Sequence, residues 1–282
     1  MSTPEWKPPS KIETLFAATA GNKFATINSP VAGAREQRDL PDGPAPVQLY
    51  SLFTPNGQKV SILFEELGMD YDAHVINIGK GDQFTSGFVS VNPNSKIPAC
   101  IDKTGPGGKP INLFESAAIM QYFAEKHNRF IPTDPAKRQE CFQWVYWQMG
   151  GFGPMCGQFG HFMVYAPAEK VETRDYGASR YGMEVQRLCS VLDQHLAKNA
   201  FLAGDEYTIA DMACFPWFNQ LMTGYKHDSG VSAAEFLSIS QYTHAVAWAE
   251  KLKARPEVQR GLQVCHWNGQ GKPWLEQKPE GA

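Results

Sequence analysis

The sequence predicts two units in series, a mixed α/β half followed by an all-helical half. Two patterns carry this. Between residues 47 and 127, short apolar runs alternate with single helical faces in the order β-α-β-loop-β-β-α. Beyond residue 137, apolar residues recur only at helical spacing.

Each element has a local reason. The run 47–53 (VQLYSLF) suits a buried strand. Val60, Leu63, Phe64 and Leu67 then fall at i, i+3, i+4 and i+7, which is one helical face, and Gly68 is a natural stop. Residues 71–78 read as a second strand and 79–95 as a polar loop. Pro98 to Ile101 gives a third strand, 105–108 a glycine-rich turn, and 111–114 a fourth strand. Glu115 and Ser116 open a helix with Ile119, Tyr122 and Phe123 on one side. Strand-helix-strand implies a parallel pair, and a short glycine turn implies an antiparallel hairpin. This is the outline of a thioredoxin-like half.

The expected organisation is an N-terminal extension over 1–46, packing on the body through Phe24, Ile27 and Val31. An α/β domain over 47–127, a linker over 128–136, an all-helical domain over 137–265 and a mobile tail over 266–282 follow. In the helical part, Cys141, Phe142, Val145 and Met149 form one amphipathic set, broken by Gly150, Gly151, Gly153 and Pro154. Tyr181, Val185, Leu188, Cys189, Leu192 and Leu196 form a second. Ala245, Trp248, Ala249 and Leu252 form a third, stopped at Arg255-Pro256.

The bulk properties narrow the function. With 282 residues and 43% hydrophobic residues the chain can build two cores. A net charge of −3 argues against a nucleic-acid surface. There is no apolar run long enough to span a membrane, and residues 1–11 lack the apolar segment of a secretory leader. The six cysteines have neither CxxC nor zinc-ribbon spacing, so they read as buried, reduced thiols of a cytoplasmic protein with no metal site.

Four stretches carry a family resemblance. SKIP (95–98) resembles a loop with a cis proline. FES (114–116) resembles a motif that holds a γ-glutamyl group. AGDEYTIADMA (203–213) resembles a capping-box segment, and TPNGQKV (54–60) a strand-to-helix turn. Together with the order of halves they are similar to the soluble glutathione transferases. TPNGQKV, with ATINSPVAG, GDQFTSGFVSVNPNSKIPA and FGHFMVYAP, resembles the nu class, the YghU/YfcG-type disulfide-bond oxidoreductases and their fungal relatives. The resemblance covers roughly 24–264. It implies a homodimer that binds glutathione, up to two per subunit, and acts on small disulfides or electrophiles.

The residues have their own chemistry beside that resemblance. A glutathione site needs donors for two carboxylates, an acceptor for an ammonium and something to favour a thiolate. Ser116 stands at a helix start, where unpaired N–H groups attract an anion, and Glu115 can add its backbone; as a plain N-cap Ser116 would do no more than hold the helix. If the Ile97-Pro98 bond is cis, as the resemblance implies, the Ile97 backbone is free to pair with a cysteinyl unit. From sequence alone a trans bond is the commoner state. Thr54, Pro55 and Asn56 open the first helix, where donors lower a thiol pKa; a capped turn without ligand is the plain alternative. Thr54 and Asn56 are therefore the candidate catalytic pair, and the thiol is supplied by glutathione rather than by the protein.

The resemblance adds Gln83 and Lys96 at glycyl or cysteinyl groups and Asn28, reaching back from the extension, at a bound glutathione. It places Gln148 and Arg180 at a second glutathione, with Tyr165 as a possible second wall near the sulfurs. Phe53, Phe152, Phe159, Phe162 and Tyr165 are candidates for an aromatic cleft that would admit apolar electrophiles. Three functions stay open: a glutathione-dependent disulfide-bond reductase, a conjugating transferase or peroxidase, and a non-catalytic regulatory protein of the same fold.

Overall fold

A computed structural model of the chain describes residues 7–19, 27 and 31–266. Its centre is a four-stranded sheet in the order β2-β1-β3-β4, built from β1 (Val47–Ser51), β2 (Tyr71–Val75), β3 (Ala99–Asp102) and β4 (Ile111–Phe114). β1 and β2 run parallel with Val47 beside Tyr71, while β1–β3 and β3–β4 are antiparallel. β1 is buried along its whole length, as a central strand covered on both faces should be.

Helix α1 (Pro55–Leu67) connects β1 to β2. Thr54 caps it, its Oγ1 accepting from the Gly57 N–H at 3.3 Å, and Pro55 occupies the first turn, where no N–H is needed. Gly68 ends it in the left-handed conformation at φ 67°, its N–H donating to the Glu65 carbonyl. The spacing predicts one buried face. The structure buries every residue from Gly57 to Leu67. The polar face is covered with its serine and both glutamates paired. Glu65 accepts from the Tyr71 hydroxyl and Arg260, each at 2.8 Å. Glu66 takes a two-pronged Arg255 at 2.6 and 2.8 Å, and Ser61 donates to the Gly261 carbonyl at 2.7 Å. Buried polar groups are tolerated when they are satisfied in this way.

Two further differences from the sequence expectation concern β2 and the segment after it. β2 stops at Val75, with one more bond from the Ile76 N–H to the Ser51 carbonyl. The expected polar loop 79–95 contains a 3₁₀ turn (Asp82–Phe84) and a short helix α2 (Ser86–Val91) capped by Thr85. Phe84, Phe88 and Val91 are its buried i, i+4, i+7 face. This segment receives the N-terminal extension: the Arg35 and Ser86 N–H groups donate to the Phe84 and Glu36 carbonyls at 2.8 Å, and the Arg35 guanidinium lies 3.5 Å from the Phe84 ring centre. Helix α3 (Ser116–His127) then follows β4.

The helical part begins with α4 (Pro135–Trp147), capped by Asp134, whose Oδ1 accepts from Ala136 and Lys137. The glycines that read as breakers do not end it. The chain stays helical through a π-helical turn (Gln148–Phe152), α5 (Gly153–Gly160) and a second π-helical turn (His161–Tyr165). Gly153 serves close approach instead: a Cβ there would collide with the Gln148 side-chain nitrogen. Gly153→Ala is therefore expected to destabilise the protein by ~1–3 kcal/mol, read as a lower urea midpoint at unchanged slope.

The remaining helices are α6 (Val171–Leu196), α7 (Ile209–Asn219), α8 (Ala233–Phe236), α9 (Thr243–Lys253) and α10 (Pro256–Gln263). In α6, Val185, Leu188, Cys189, Leu192 and Leu196 are buried at the predicted spacing. α7 starts with the expected capping box of Thr208 and Asp211. α10 goes beyond the sequence reading, which ended the helical pattern at Arg255-Pro256. Pro256 instead opens a new helix that packs on α1, as do α3 and α7. Among the described residues no helix is long and apolar enough to cross a membrane.

Candidate functional site

The ends of β1 and β3 and the starts of α1 and α3 converge on one cavity of about 340 Å³. Thr54, Pro55 and Asn56 line one side of it and Glu115 and Ser116 another. Gln83, Lys96, Ile97 and Pro98 complete the wall. Nine of the residues singled out by sequence therefore meet in one place. Asn28 and Phe24 lie outside the described residues, as does the tail from 267. Ile27 is described and lines the cavity.

The Ile97-Pro98 peptide is cis, as the SKIP resemblance implies. The loop before it is tied down by Asn92, whose Nδ2 donates to the Lys96 carbonyl at 2.5 Å while its Oδ1 accepts from the Asn94 N–H at 2.9 Å. Glu115 sits at φ 68°, a left-handed value rare for a residue with a Cβ, and has no side-chain cap bond. Such backbone strain persists only where the surroundings enforce it, and it concentrates at ligand sites. Its effect is to lead β4 directly into α3, so that the first N–H groups of α3 meet the cavity wall at Ser116.

Gln83 is 1% exposed. Its Nε2 donates to the Ile78 carbonyl at 3.2 Å, which leaves Oε1 as a buried acceptor without a partner among the described residues. A buried acceptor in a cavity wall suits an ammonium or amide N–H.

Asn56 has the most constrained chemistry. The Trp217 indole Nε1–H donates to its Oδ1 at 3.0 Å. Indole can only donate, so the amide must present oxygen to Trp217 and turn its NH₂ away from it. With the Thr54 hydroxyl and the start of α1 beside it, this amide is a fixed donor for an anion. Trp217 was not legible as a site residue, because it sits in an apolar run of α7 that reads as core.

Behind Ser116 lies a second polar group absent from the sequence-derived set. Lys59 is 1% exposed. Its Nζ lies 2.6 Å from Gln148 Oε1, 3.3 Å from Met149 Sδ and 3.4 Å from Ser116 Oγ. Burial pushes its pKa down to about 7, against the upward pull of Cys214 and Glu115. The TPNGQKV stretch contains this lysine, but nothing local shows that its helix face is covered.

The residues expected at a second glutathione do not line this cavity. Gln148 is fully buried with its oxygen on Lys59, and it does not line the cavity. Arg180 is exposed on α6. Tyr165 is half-buried against the Tyr225 ring, and burial raises its pKa. The aromatic cleft is likewise not in this cavity: Phe152 and Phe159 are core residues, Phe53 packs on His266, and Phe162 stacks on Tyr181. Met149 and Trp217 are the large apolar side chains contributed to the wall from the helical half.

All six cysteines are buried thiols, none of them in a disulfide. Burial raises the thiols of Cys100, Cys141, Cys156, Cys189 and Cys214 above the ordinary cysteine value. None of the six lines the cavity.

Comparison with known proteins agrees with this geometry. Residues 53–126 match the family model for the glutathione S-transferase N-terminal domain, and 160–256 that for the C-terminal domain. The disulfide-bond oxidoreductase YghU of Escherichia coli is 50% identical over 93% of this chain and 89% of its own. A YghU glutathione transferase from Streptococcus pneumoniae, solved with glutathione, superposes with a TM-score of 0.83 at 43% identity, covering 93% of this chain and 98% of that one. A glutathione transferase from Burkholderia graminis, solved with two glutathione molecules per subunit, gives 0.73 at 46% identity over 78% of this chain and 88% of that one. By its sequence, its fold and the cavity at its domain junction, the chain belongs to the glutathione S-transferase family, on the branch that includes the YghU-type disulfide-bond oxidoreductases.

Proposed function

We propose that the protein is a glutathione-dependent disulfide-bond reductase whose reacting sulfurs belong to bound glutathione. The carrying observation is the Asn56 amide, held by Trp217 with its donor end free for a thiolate. The burial of all six cysteines supports the same reading, since a buried thiol with a raised pKa is a poor nucleophile.

In this reading Ser116 and the first N–H groups of α3 hold the γ-glutamyl carboxylate, with Glu115 beside them. Gln83 Oε1 takes an amide N–H of the cysteinyl or glycyl unit, the Ile97 backbone pairs with the cysteinyl unit next to Pro98, and Lys96 meets the glycyl carboxylate. Asn28 approaches from the extension. Thr54 and Asn56 donate to the sulfur, with Pro55 shaping the turn between them. The bound thiolate attacks one sulfur of the substrate disulfide. That S–S bond breaks, a mixed disulfide forms, and the departing thiolate takes up a proton. A second glutathione thiolate then attacks the glutathionyl sulfur of the mixed disulfide. This releases the second substrate thiol and glutathione disulfide, so two glutathiones supply the two electrons. Gln148, Arg180 and Tyr165 are the proposed neighbours of the second glutathione, in line with the two molecules bound by the Burkholderia relative. For Gln148 the Oε1 end stays on Lys59, and the Nε2 end, without a partner among the described residues, is the donor offered to that glutathione. We also propose a homodimer in a reducing, cytoplasmic setting, where the six thiols stay reduced.

The test is the rate at which purified protein reduces a small disulfide with glutathione, above the uncatalysed rate. The expected result is a rate that saturates in both substrates. Protein that binds glutathione yet shows no such rate would overturn the reading and put conjugation or a regulatory role in front.

A further inference from the structure

We infer that Lys59 is a positioning residue for the carboxylate held at Ser116, supplying from behind the wall the positive charge that the ligand's α-carboxylate meets. The inference rests on the glutathione reading of the cavity. It concerns a side chain that does not itself line that cavity.

The geometry carries it. An ammonium has three donors, and the three atoms around Nζ are Gln148 Oε1, Met149 Sδ and Ser116 Oγ. No carboxylate lies within ion-pair distance of it among the described residues. A buried cation without an anion is costly, and an anion arriving in the cavity would offset that cost. Ser116 stands between the two. A hydroxyl that accepts from an ammonium must send its own proton elsewhere. Among the described residues, the acceptor recorded for that hydroxyl is the Met149 thioether, a weak one 3.7 Å away. The Ser116 proton is therefore directed to the cavity side, toward a carboxylate. In this arrangement Lys59 sets the Ser116 hydroxyl as a donor and adds long-range attraction, while Gln148 holds the ammonium in place.

The test compares S-methylglutathione with an analogue whose γ-glutamyl unit is replaced by 4-aminobutyryl. The analogue keeps the amine and lacks the α-carboxylate. Binding is measured by calorimetry to native protein and to Lys59→Met, which keeps the length and apolar stem. The expected result is roughly 30-fold weaker binding of S-methylglutathione to the variant and little change for the analogue. Equal losses on both ligands, or no loss on either, would overturn the assignment while leaving the glutathione reading intact. Native protein that binds neither ligand would overturn the glutathione reading itself, and the assignment with it.

A second measurement needs no variant and covers the case in which Lys59→Met does not fold. Only the protonated lysine attracts the carboxylate. Its folded-state pKa lies near 7, so affinity for S-methylglutathione should fall as pH rises through and above that value. The analogue shares every other titrating group and should show no such fall. The groups that face Lys59 electrostatically are Glu115 from the start of α3 and Cys214 from α7; burial holds that thiol neutral. A pH-independent ratio of the two affinities would overturn the assignment.

Discussion

Asn56→Asp should cost about 100-fold in kcat/KM for disulfide reduction near neutral pH. The substitution is nearly isosteric, and a carboxylate oxygen can still accept from the Trp217 indole, so the fold should survive. What changes is the other end of the group. The amide donor that favours the thiolate is replaced by a negative charge, which repels it. Two effects then act in the same direction: loss of a charge-assisted hydrogen bond and gain of a like-charge neighbour. Both raise the pKa of the bound glutathione thiol. The pH–rate profile should therefore move to higher pH, with kcat falling more than KM rises. Trp217→Phe should move the profile in the same sense by a smaller step, because Asn56 keeps its amide and loses only the group that orients it. An Asn56→Asp enzyme with an unchanged profile would remove the amide from the machinery and leave the Thr54 hydroxyl and the α1 N-terminus to account for the thiolate.

The largest effect on stability should come from Asp211→Ala, at about 4 kcal/mol. The Asp211 side chain is fully buried. Its Oδ1 accepts from the Leu202 N–H at 3.0 Å and from the Trp248 indole at 2.9 Å. Its Oδ2 accepts from the Thr208 N–H at 3.0 Å and lies 3.4 Å from the Thr208 hydroxyl. Alanine strands three buried N–H donors at once, removes the reciprocal half of the α7 cap and leaves a small void. Because α7 carries Trp217, the loss should also reach the cleft. Equilibrium unfolding in urea measures the first effect, and glutathione affinity of the surviving folded fraction measures the second. Asp211→Asn keeps one acceptor oxygen and should recover part of the stability. A variant within about 1 kcal/mol of native protein would show that the surroundings collapse onto new partners.

Much of this site was legible because its parts are local in sequence. The Thr54 cap, the proline of the first turn, the Ile97-Pro98 bend and the Glu115-Ser116 helix start are each written in two or three adjacent residues. What was not legible is what the helical half brings to them. The polar face of α1 reads as a solvent face, since spacing cannot show that α7 and α10 will cover it. Lys59 was passed over for that reason, and Trp217 because an aromatic among apolar neighbours is usually core. The π-helical turn at Gln148–Phe152 reads as a break, because glycine spacing looks the same whether it ends a helix or admits a neighbour's side chain. Gln148 adds a contact that no motif announces: its side-chain oxygen is turned inward, onto a lysine the motif contains but does not explain.

The docking of α10 has a practical corollary. Its Gly261 lies so close to the backbone of Ile62 that a Cβ would collide there, and the Cys265 carbonyl accepts from the Phe53 N–H at 3.0 Å, one residue before the Thr54 cap. The chain thus returns, nearly at its end, to brace the turn that opens its ligand site. A fragment cut after the α/β half would expose Glu65 and Glu66 without their arginines and leave the apolar back of α1 wet. Anyone seeking a minimal glutathione-binding module should therefore expect the excised half to aggregate, and should shorten this protein, if at all, only beyond residue 265.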